Sequence, residues 1–223
     1  ITHEIEPYDI TGAAFTLSQA WSCFPTGTVH LIVVDPGVGG MRRALIGDAE
    51  GHLFVAPDNG VLSLVSPQLA AREITEERFF RQPVSRTFHG RDIFGPVAAH
   101  LAMGHDPAEF GAEIVNPVIL PISTPAEKGP GVWEGVVLRV DRFGNITTNF
   151  QSDLFAKDCR GKFEIRVGDA VIVRLAESYS GMASGDLFVI AGSSGYLEIS
   201  LNKGNAANIL RSFAGAPVHF KKY

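Results

Sequence analysis

The chain has few cysteines. Among its 223 residues there are two, Cys23 and Cys159, far apart and without a CxxC spacing. This scarcity argues against a disulfide framework or a zinc site, and it predicts that both are buried apolar residues in a reducing cytoplasm. Long apolar runs are also lacking, since no stretch approaches the roughly 20 residues that span a membrane. With no signal peptide visible either, we expect a cytoplasmic protein without a membrane partner.

Basic charge is not in excess. The chain has 19 Lys and Arg against 24 Asp and Glu, which gives a net charge of −5 and a pI of about 5.8. Such a balance predicts no nucleic-acid partner. The chain also lacks HExxH, Walker and GxSxG motifs, and no residues have metal-ligand spacing. We therefore expect no metal site.

The first half of the sequence alternates strands and helices, which predicts a Rossmann-like layered α/β domain over residues 1–118. The pattern predicts a buried strand at 30–34, a hairpin of 44–46 with 53–55, and helices at 11–22, 61–65 and 91–103. The helix at 61–65 is predicted because Asp58 and Asn59 are good N-cap residues.

The composition changes in the middle of the chain, where prolines and glycines predict a linker over residues 119–131. Short strands separated by Gly, Asp and Ser follow, and a helical turn is predicted over 205–210. This pattern predicts an all-β barrel or sandwich over residues 132–223. The predicted strands are 136–140, 146–149, 163–167, 170–175, 187–191, 196–200 and 218–221.

Two polar loops of the first half could carry chemistry. Asp35 ends a buried strand, where open α/β sheets bind ligands, and glycines lead from it to Arg42. A strand follows these glycines, which excludes a dinucleotide fingerprint but leaves open an ordinary turn capped by Asp35. His89 precedes a predicted helix at a glycine-flanked turn, where it could orient or deprotonate water or be purely structural.

Two further loops belong to the second half. In the segment 141–149, Asp141, Phe143 and Asn145 combine a carboxylate, an aromatic ring and an amide at a strand end. They could bind a purine and an ammonium group, or form a turn with Gly144 at positive φ. The glycine-flanked Ser193 and Ser194 could bind a carboxylate or form an ordinary hairpin.

Taken in order, these loops resemble one family, the S-adenosylmethionine hydroxide adenosyltransferases, which are relatives of the fluorinases and chlorinases. The resemblance covers essentially the whole chain. The matching segments are 34–39, 56–60, 88–96, 141–149 and 195–199, together with Asn202 and 204–207.

The resemblance implies an α/β amino-terminal domain, a carboxy-terminal β-barrel domain, and a homotrimer with active sites at the subunit interfaces. It implies hydrolysis of S-adenosyl-L-methionine to adenosine and L-methionine by attack of water at the ribose C5′. S-adenosylmethionine would be the substrate, and no cofactor would be needed. The residues that match the family's water-activating trio are Asp35, Arg42 and His89.

The resemblance also implies a set of substrate contacts: Asp141 with the methionine ammonium, Phe143 and Asn145 with adenine, Ser193 with the methionine carboxylate, and Asn202 in the adenine-binding loop. The family's first strand and its Thr-Asp-Phe-Gly segment are absent from this sequence. Ser194 and Leu201 stand where the fluorinase has arginines. The alternatives are a sensor that binds S-adenosylmethionine or adenosine without turnover, and a halogenase, whose known members lack the trio.

Overall fold

A computed structural model of the chain describes residues 1–121 and 124–223, which form two compact units, Ile1–Leu120 and Pro121–Tyr223. The predicted linker 119–131 includes residues 122 and 123, which lie outside the described residues. Its later part contains a short strand, Ala126–Gly129, that pairs with the strand following it. The proline and glycine content of the segment gave no indication of this pairing.

The first unit contains one sheet and two α-helices. Its strands are β1 (Val29–Leu31), β2 (Ala44–Ala49), β3 (His52–Pro57), β4 (Ala70–Glu73) and β5 (Glu113–Ile114), and its helices are α1 (Ile10–Ser18) and α2 (Gly95–Ala102). The strand order is β1-β3-β2-β4-β5. β1 and β3 are parallel, and the other neighbours are antiparallel.

The helices cover opposite faces of this sheet, because side chains alternate between the two faces along a strand. On β3, Phe54 belongs to the apolar cluster that includes Leu17 of α1. The next residue, Val55, belongs to the cluster that includes Val97 of α2. The unit is therefore a three-layer α/β structure, as the alternating pattern predicted.

Three local predictions for this unit are wrong. Residues 61–65 form turns rather than a helix, because Asn59 bonds to the chain on both sides instead of capping a helix. The buried strand predicted at 30–34 ends at Leu31, and the side chains of Leu31 and Val33 are exposed. The helix predicted at 91–103 is present, although it begins as a π-helical turn, Gly90–Phe94, before α2. Cys23 is exposed, whereas Cys159 of the second unit is buried, which raises the pKa of its thiol to about 12.

The second unit is almost entirely β. Its strands are β6 (Ala126–Gly129), β7 (Val132–Val140), β8 (Ile146–Gln151), β9 (Phe163–Val167), β10 (Ala170–Ile172), β11 (Leu175–Ala176), β12 (Leu187–Ala191), β13 (Tyr196–Leu201) and β14 (Pro217–Lys222), with short helices α3 (Ser152–Phe155) and α4 (Ala206–Leu210). They form one curled sheet in the order β10-β9-β14-β7-β8-β13-β12-β11, and β6 pairs with β7. The predicted fold class, an α/β domain followed by a β domain, is confirmed.

Candidate active site

Asp35 and Arg42 form a closely bonded ion pair in the first unit. The side chain of Asp35 is 5% exposed and that of Arg42 is 12% exposed. Nε of Arg42 donates to both carboxylate oxygens of Asp35, at 3.0 and 3.1 Å, and Nη2 donates to Oδ2. The guanidinium also lies 5.1 Å from the centre of the Phe94 ring. Such a forked contact fixes the orientation of the carboxylate.

His89 completes this cluster. Nη2 of Arg42 lies 2.8 Å from Nδ1 of His89. Because a guanidinium can only donate, Nδ1 must accept and the imidazole proton must be on Nε2. Burial and the charge of Arg42 lower the pKa of His89, while Asp35 and Asp92 act in the opposite direction. The net direction favours a neutral imidazole with one free N–H donor.

The turn between Asp35 and Arg42 depends on a glycine. Gly39 has φ +76°, and a Cβ at this position would lie 2.1 Å from the backbone oxygen of Arg86. A side chain would therefore be strained and would also push against backbone. This close approach brings the turn against the segment that precedes His89.

Asn59 supports the cluster from the other side. Its Nδ2 donates to the backbone oxygen of Val34, the residue before Asp35, at 2.8 Å. Its Oδ1 accepts from the backbone of Val61 at 3.2 Å. Sequence reasoning missed this support, because an asparagine after a strand fits a helix cap equally well.

Asp92 anchors the π-helical turn that follows His89. It is fully buried and accepts from the Arg91 side chain at 2.7 and 2.9 Å and from the backbone of Ser85 at 2.9 Å. These bonds hold the pKa of Asp92 well below its usual range. The predicted helix therefore starts with a buried, fully bonded carboxylate. His89 is held by its bond to Arg42 and by the anchored turn that follows it in the chain.

The segment after β7 forms a compact turn in the second unit. Asp141 Oδ1 accepts from the backbone of Phe143 and Asn145 at 2.8 and 2.9 Å, and Oδ2 accepts from Nδ2 of Asn145 at 3.0 Å. Gly144 has φ +85°, as the turn interpretation predicted. The Phe143 ring is 62% exposed. The turn thus presents an aromatic ring beside a carboxylate and an amide.

This turn packs on the start of α4. A Cβ on Gly144 would lie 2.1 Å from Cγ of Asn205, and the backbone N–H of Ala207 donates to the Gly144 oxygen at 2.9 Å. Asn205 also caps α4 by accepting from the backbone of Asn208 at 2.7 Å. The predicted helical turn at 205–210 is confirmed. Asn205 was not singled out, although an asparagine before two alanines is a recognisable N-cap.

Ser193 and Asn202, the other two predicted substrate contacts, lie outside the Asp141 turn. Ser193 is exposed at the tip of the hairpin between β12 and β13. Nδ2 of Asn202 donates to the backbone oxygen of Met182 at 2.5 Å, so this amide supports a neighbouring loop. Each unit therefore holds part of the predicted set: Asp35, Arg42 and His89 contact one another in the first, and Asp141 contacts Asn145 in the second.

The described residues contain no group of three or more His, Cys, Asp or Glu side chains able to hold a metal ion. In the same part of the chain, no helix is long and apolar enough to cross a membrane.

An α/β unit with a carboxylate–guanidinium–imidazole cluster, followed by a curled β unit, defines a class of two-domain proteins. Family comparison identifies the class. The amino-terminal domain of the S-adenosylmethionine hydroxide adenosyltransferases matches residues 1–111, and their carboxy-terminal domain matches residues 135–219. The chain belongs to this family.

Individual relatives agree with the family match. Curated proteins named (R)-S-adenosyl-L-methionine hydrolase are 31 to 38% identical to this chain. The one from Salinispora tropica is 38% identical over 94% of this chain and 80% of its own length. A fluorinase from Actinoplanes sp. is more distant, at 24% identity over 100% of this chain and 86% of its own length.

A solved structure shows the same fold. The crystal structure of an uncharacterized conserved protein from Thermotoga maritima is 37% identical and has a TM-score of 0.85. The alignment covers 99% of this chain and 87% of that one.

Proposed function

We propose that this protein hydrolyses S-adenosyl-L-methionine to adenosine and L-methionine, and that water attacks the ribose C5′ in line with the C–S bond. The observation that supports this best is the Asp35–Arg42–His89 cluster, in a chain whose relatives named as hydrolases are more similar to it than the fluorinase is. The reaction leaves methionine as a neutral thioether, so the leaving group needs no acid.

Asp35 accepts a proton from the attacking water in this proposal. Each carboxylate oxygen has two acceptor positions. Oδ2 accepts from both Nε and Nη2 of Arg42, whereas Oδ1 accepts from Nε alone and can also accept from water. As the new C–O bond forms, the water loses one proton to Asp35, and that proton then passes to solvent. General-base catalysis of this kind is typically worth about 10²–10⁴-fold in rate.

His89 orients the water. With Nδ1 bonded to Arg42, its Nε2–H is free to donate to the water oxygen. Arg42 holds both partners and stabilises the developing hydroxide. Water must approach C5′ to about 3–3.5 Å opposite the sulfur, so this positioning supplies much of the remaining rate enhancement.

Charge neutralisation favours the same reaction. The sulfonium is positive and the nucleophile becomes negative, so the transition state carries less separated charge than the reactants. A pocket from which water is excluded therefore stabilises the transition state relative to the charged reactants.

We propose that the second unit supplies the substrate contacts. In this assignment Asp141 binds the methionine ammonium, Phe143 and Asn145 contact adenine, Ser193 contacts the methionine carboxylate, and Asn202 belongs to the adenine loop. A homotrimer with active sites at subunit interfaces would bring a first unit and a second unit together around one substrate. Light scattering of the purified protein at several concentrations measures this assembly, and a monomer at all of them would contradict it.

The decisive experiment is incubation with S-adenosylmethionine in ¹⁸O-water, followed by mass spectrometry of the nucleoside. We expect adenosine that carries ¹⁸O at the 5′ position. The two sulfonium epimers should be assayed separately, because the relatives' names specify the (R) form.

Each competing function gives a different result. Binding without any adenosine would establish the sensor alternative and overturn the proposal. Halide-dependent formation of 5′-chloroadenosine or 5′-fluoroadenosine would establish a halogenase. Adenosine without ¹⁸O would exclude attack by water at C5′.

A further inference from the structure

Three side chains near the Asp141 turn have no role in the proposed reaction. Tyr179, Glu198 and Ser200 form a hydrogen-bonded group, here called the Glu198 cluster. The hydroxyl of Tyr179 donates to Oε1 of Glu198, and Oγ of Ser200 donates to the same oxygen at 2.9 Å. The Tyr179 ring packs edge-on against Phe188, with centroids 5.4 Å apart. The cluster thus fixes one carboxylate by two hydroxyl donors.

Strand register places this cluster on the same sheet face as the Asp141 turn. Ile146 of β8 pairs with Val140 of β7 on one side and with Ile199 of β13 on the other. Extending this register by one residue beyond the ends of β7 and β8 places Asp141, Asn145 and Ser200 side by side. The backbone N–H of Asp141 donates to the Asn145 oxygen, which supports the extension. Directly paired residues share a face, and Glu198 shares it with Ser200 because it lies two residues away.

Electrostatics supports this placement. Burial raises the pKa of Tyr179 to about 12, and the hydrogen bond that Tyr179 donates to Glu198 and the charges of Glu198 and Asp141 act in the same direction. Both carboxylates therefore act on the same phenol, although Ser200 partly opposes them.

Neither carboxylate has a basic partner. Among the described residues, no Lys, Arg or His side chain comes within 4.0 Å of Asp141 or Glu198 to form an ion pair. Other acids of the same unit are paired: Asp186 with Arg174, Asp158 with Lys222 and Glu134 with Lys128. Two partly buried carboxylates on one face without a cation favour a ligand that brings positive charge.

We propose that Glu198 is a specificity-determining residue of the substrate site, which with Asp141 selects nucleosides bearing positive charge over uncharged ones. This inference rests on the proposed function, because the proposed substrate carries a sulfonium and an ammonium. Tyr179 and Ser200 are positioning residues that keep the Glu198 carboxylate directed along this face.

The test is a binding measurement that needs no turnover. Sinefungin, a stable analogue with an ammonium in place of the sulfonium, and adenosine, which lacks both charges, are titrated calorimetrically. Glu198→Gln keeps an acceptor oxygen for Tyr179 and Ser200 but removes the charge. We expect it to raise the Kd of sinefungin about tenfold and to leave that of adenosine within roughly twofold.

The chain offers a matched control. Glu164 accepts a hydrogen bond from the Tyr223 hydroxyl at 2.7 Å on β9, which β14 and β7 separate from β8 in the strand order. Glu164 also lies 3.9 Å from Nη2 of Arg166, so its charge has a basic partner, unlike that of Glu198. Glu164→Gln removes one carboxylate charge bonded by a tyrosine hydroxyl and should change neither Kd.

The outcomes separate this inference from the proposed function. If Glu198→Gln weakens both ligands equally, or neither, then Glu198 does not select charge and the inference fails, whatever the hydrolysis assay shows. If Glu198→Gln loses the preference for the charged ligand while the wild type forms no adenosine, the hydrolase proposal is wrong. The inference that Glu198 selects charged nucleosides is then still supported.

Discussion

The carboxylates of the two proposed sites, one in each unit, are bonded in opposite ways. In the first, Asp35 is bonded to Arg42 and Asp92 to Arg91, so the negative charges are balanced within the unit. In the second, Asp141 is bonded by the amides of its own turn, and Glu198 by two hydroxyls. A carboxylate paired with a guanidinium is held in a fixed orientation, which suits the activation of water. Carboxylates without a cationic partner suit the binding of a positively charged ligand.

This comparison predicts different kinetic signatures. Residues that act on the nucleophile work only in the transition state, so their loss should lower kcat. Residues that bind parts of the substrate remote from the reacting bond contribute equally before and during reaction, so their loss should raise KM. The following variants are chosen to test that division.

The largest effect is expected for Asp35→Ala. Loss of the proton acceptor should lower kcat by about 10²–10⁴-fold. Affinity for sinefungin should stay within roughly twofold, since the substrate contacts proposed are on the second unit. Steady-state kinetics and calorimetry on the same preparation measure both quantities.

A second ion pair of the first unit provides the control for Asp35→Ala. Arg72 donates to Glu113 at 2.9 Å, and the Glu113 side chain is 77% exposed. Glu113→Gln should leave kcat unchanged. An unchanged kcat in Asp35→Ala would show that Asp35 is not the proton acceptor. It would also contradict the proposed difference between the two units.

Asp141→Asn should affect substrate affinity. The amide keeps an acceptor oxygen for the backbone of Phe143 and Asn145 but loses the charge that would pair with an ammonium. We expect KM to rise about tenfold with kcat nearly unchanged. The exposed Asp153 of α3 offers a neutral control, Asp153→Asn. A fall in kcat without a change in KM would contradict the proposed division.

How far the sequence leads also differs between the units. Strands 163–167 and 187–191 were predicted with correct ends, because an alternating apolar pattern in the first and a continuous apolar run in the second are bounded by turn residues. The helix at 61–65 failed because Asn59 bonds to Val34, a partner 25 positions earlier that no local pattern reveals. Short-range rules describe hairpins well and long-range side-chain bonds poorly.

The same limit applies to the sites. Resemblance selected Asp35, Arg42 and His89, and the structure adds that Arg42 bonds to both others and so determines the tautomer of His89. Neither the π-helical turn after His89 nor the Glu198 cluster followed from local pattern. Both depend on contacts across the fold, between Asp92 and Ser85 and between Tyr179 and Glu198.

Glycine substitutions compare the rigidity of the two loops. Gly39→Ala and Gly144→Ala both force alanine into positive φ, which costs about 1–2 kcal/mol. The Cβ at Gly39 meets backbone, whereas that at Gly144 meets the Asn205 side chain, which can rotate at the cost of its cap. We therefore expect Gly39→Ala to lower the free energy of unfolding more than Gly144→Ala does.

Urea denaturation measures both glycine variants. Gly104 and Gly215 also have positive φ, but a Cβ there meets nothing within 4 Å. Gly104→Ala and Gly215→Ala therefore isolate the cost of backbone conformation in each unit. Equal losses at Gly39 and Gly104 would show that the close approach to Arg86 adds nothing.

The smallest expected effect is on pH dependence. Burial and Arg42 lower the pKa of His89 below 6.5, so the neutral form should persist to a pH below that value. Protonation would place a second hydrogen opposite the Arg42 donor and break their bond, so kcat/KM should fall with an acid limb below pH 6.5. In His89→Gln, whose amide oxygen can accept from Arg42, this limb should disappear and leave a lower, flat rate.

Stability must be followed over the same pH range. When folding lowers the pKa of a histidine, the folded state is more stable at a pH above the pKa of the unfolded state. For His89 this contribution to the free energy of unfolding is lost as the pH falls below 6.5. His30 is buried, and its Nε2 lies 3.2 Å from Nδ1 of His52. Burial lowers the pKa of His30 too, and because His30 is outside the cluster, its protonation would affect folding alone. If circular dichroism shows unfolding along the acid limb, and His89→Gln retains that limb, then the pH dependence arises from His30 and not from His89.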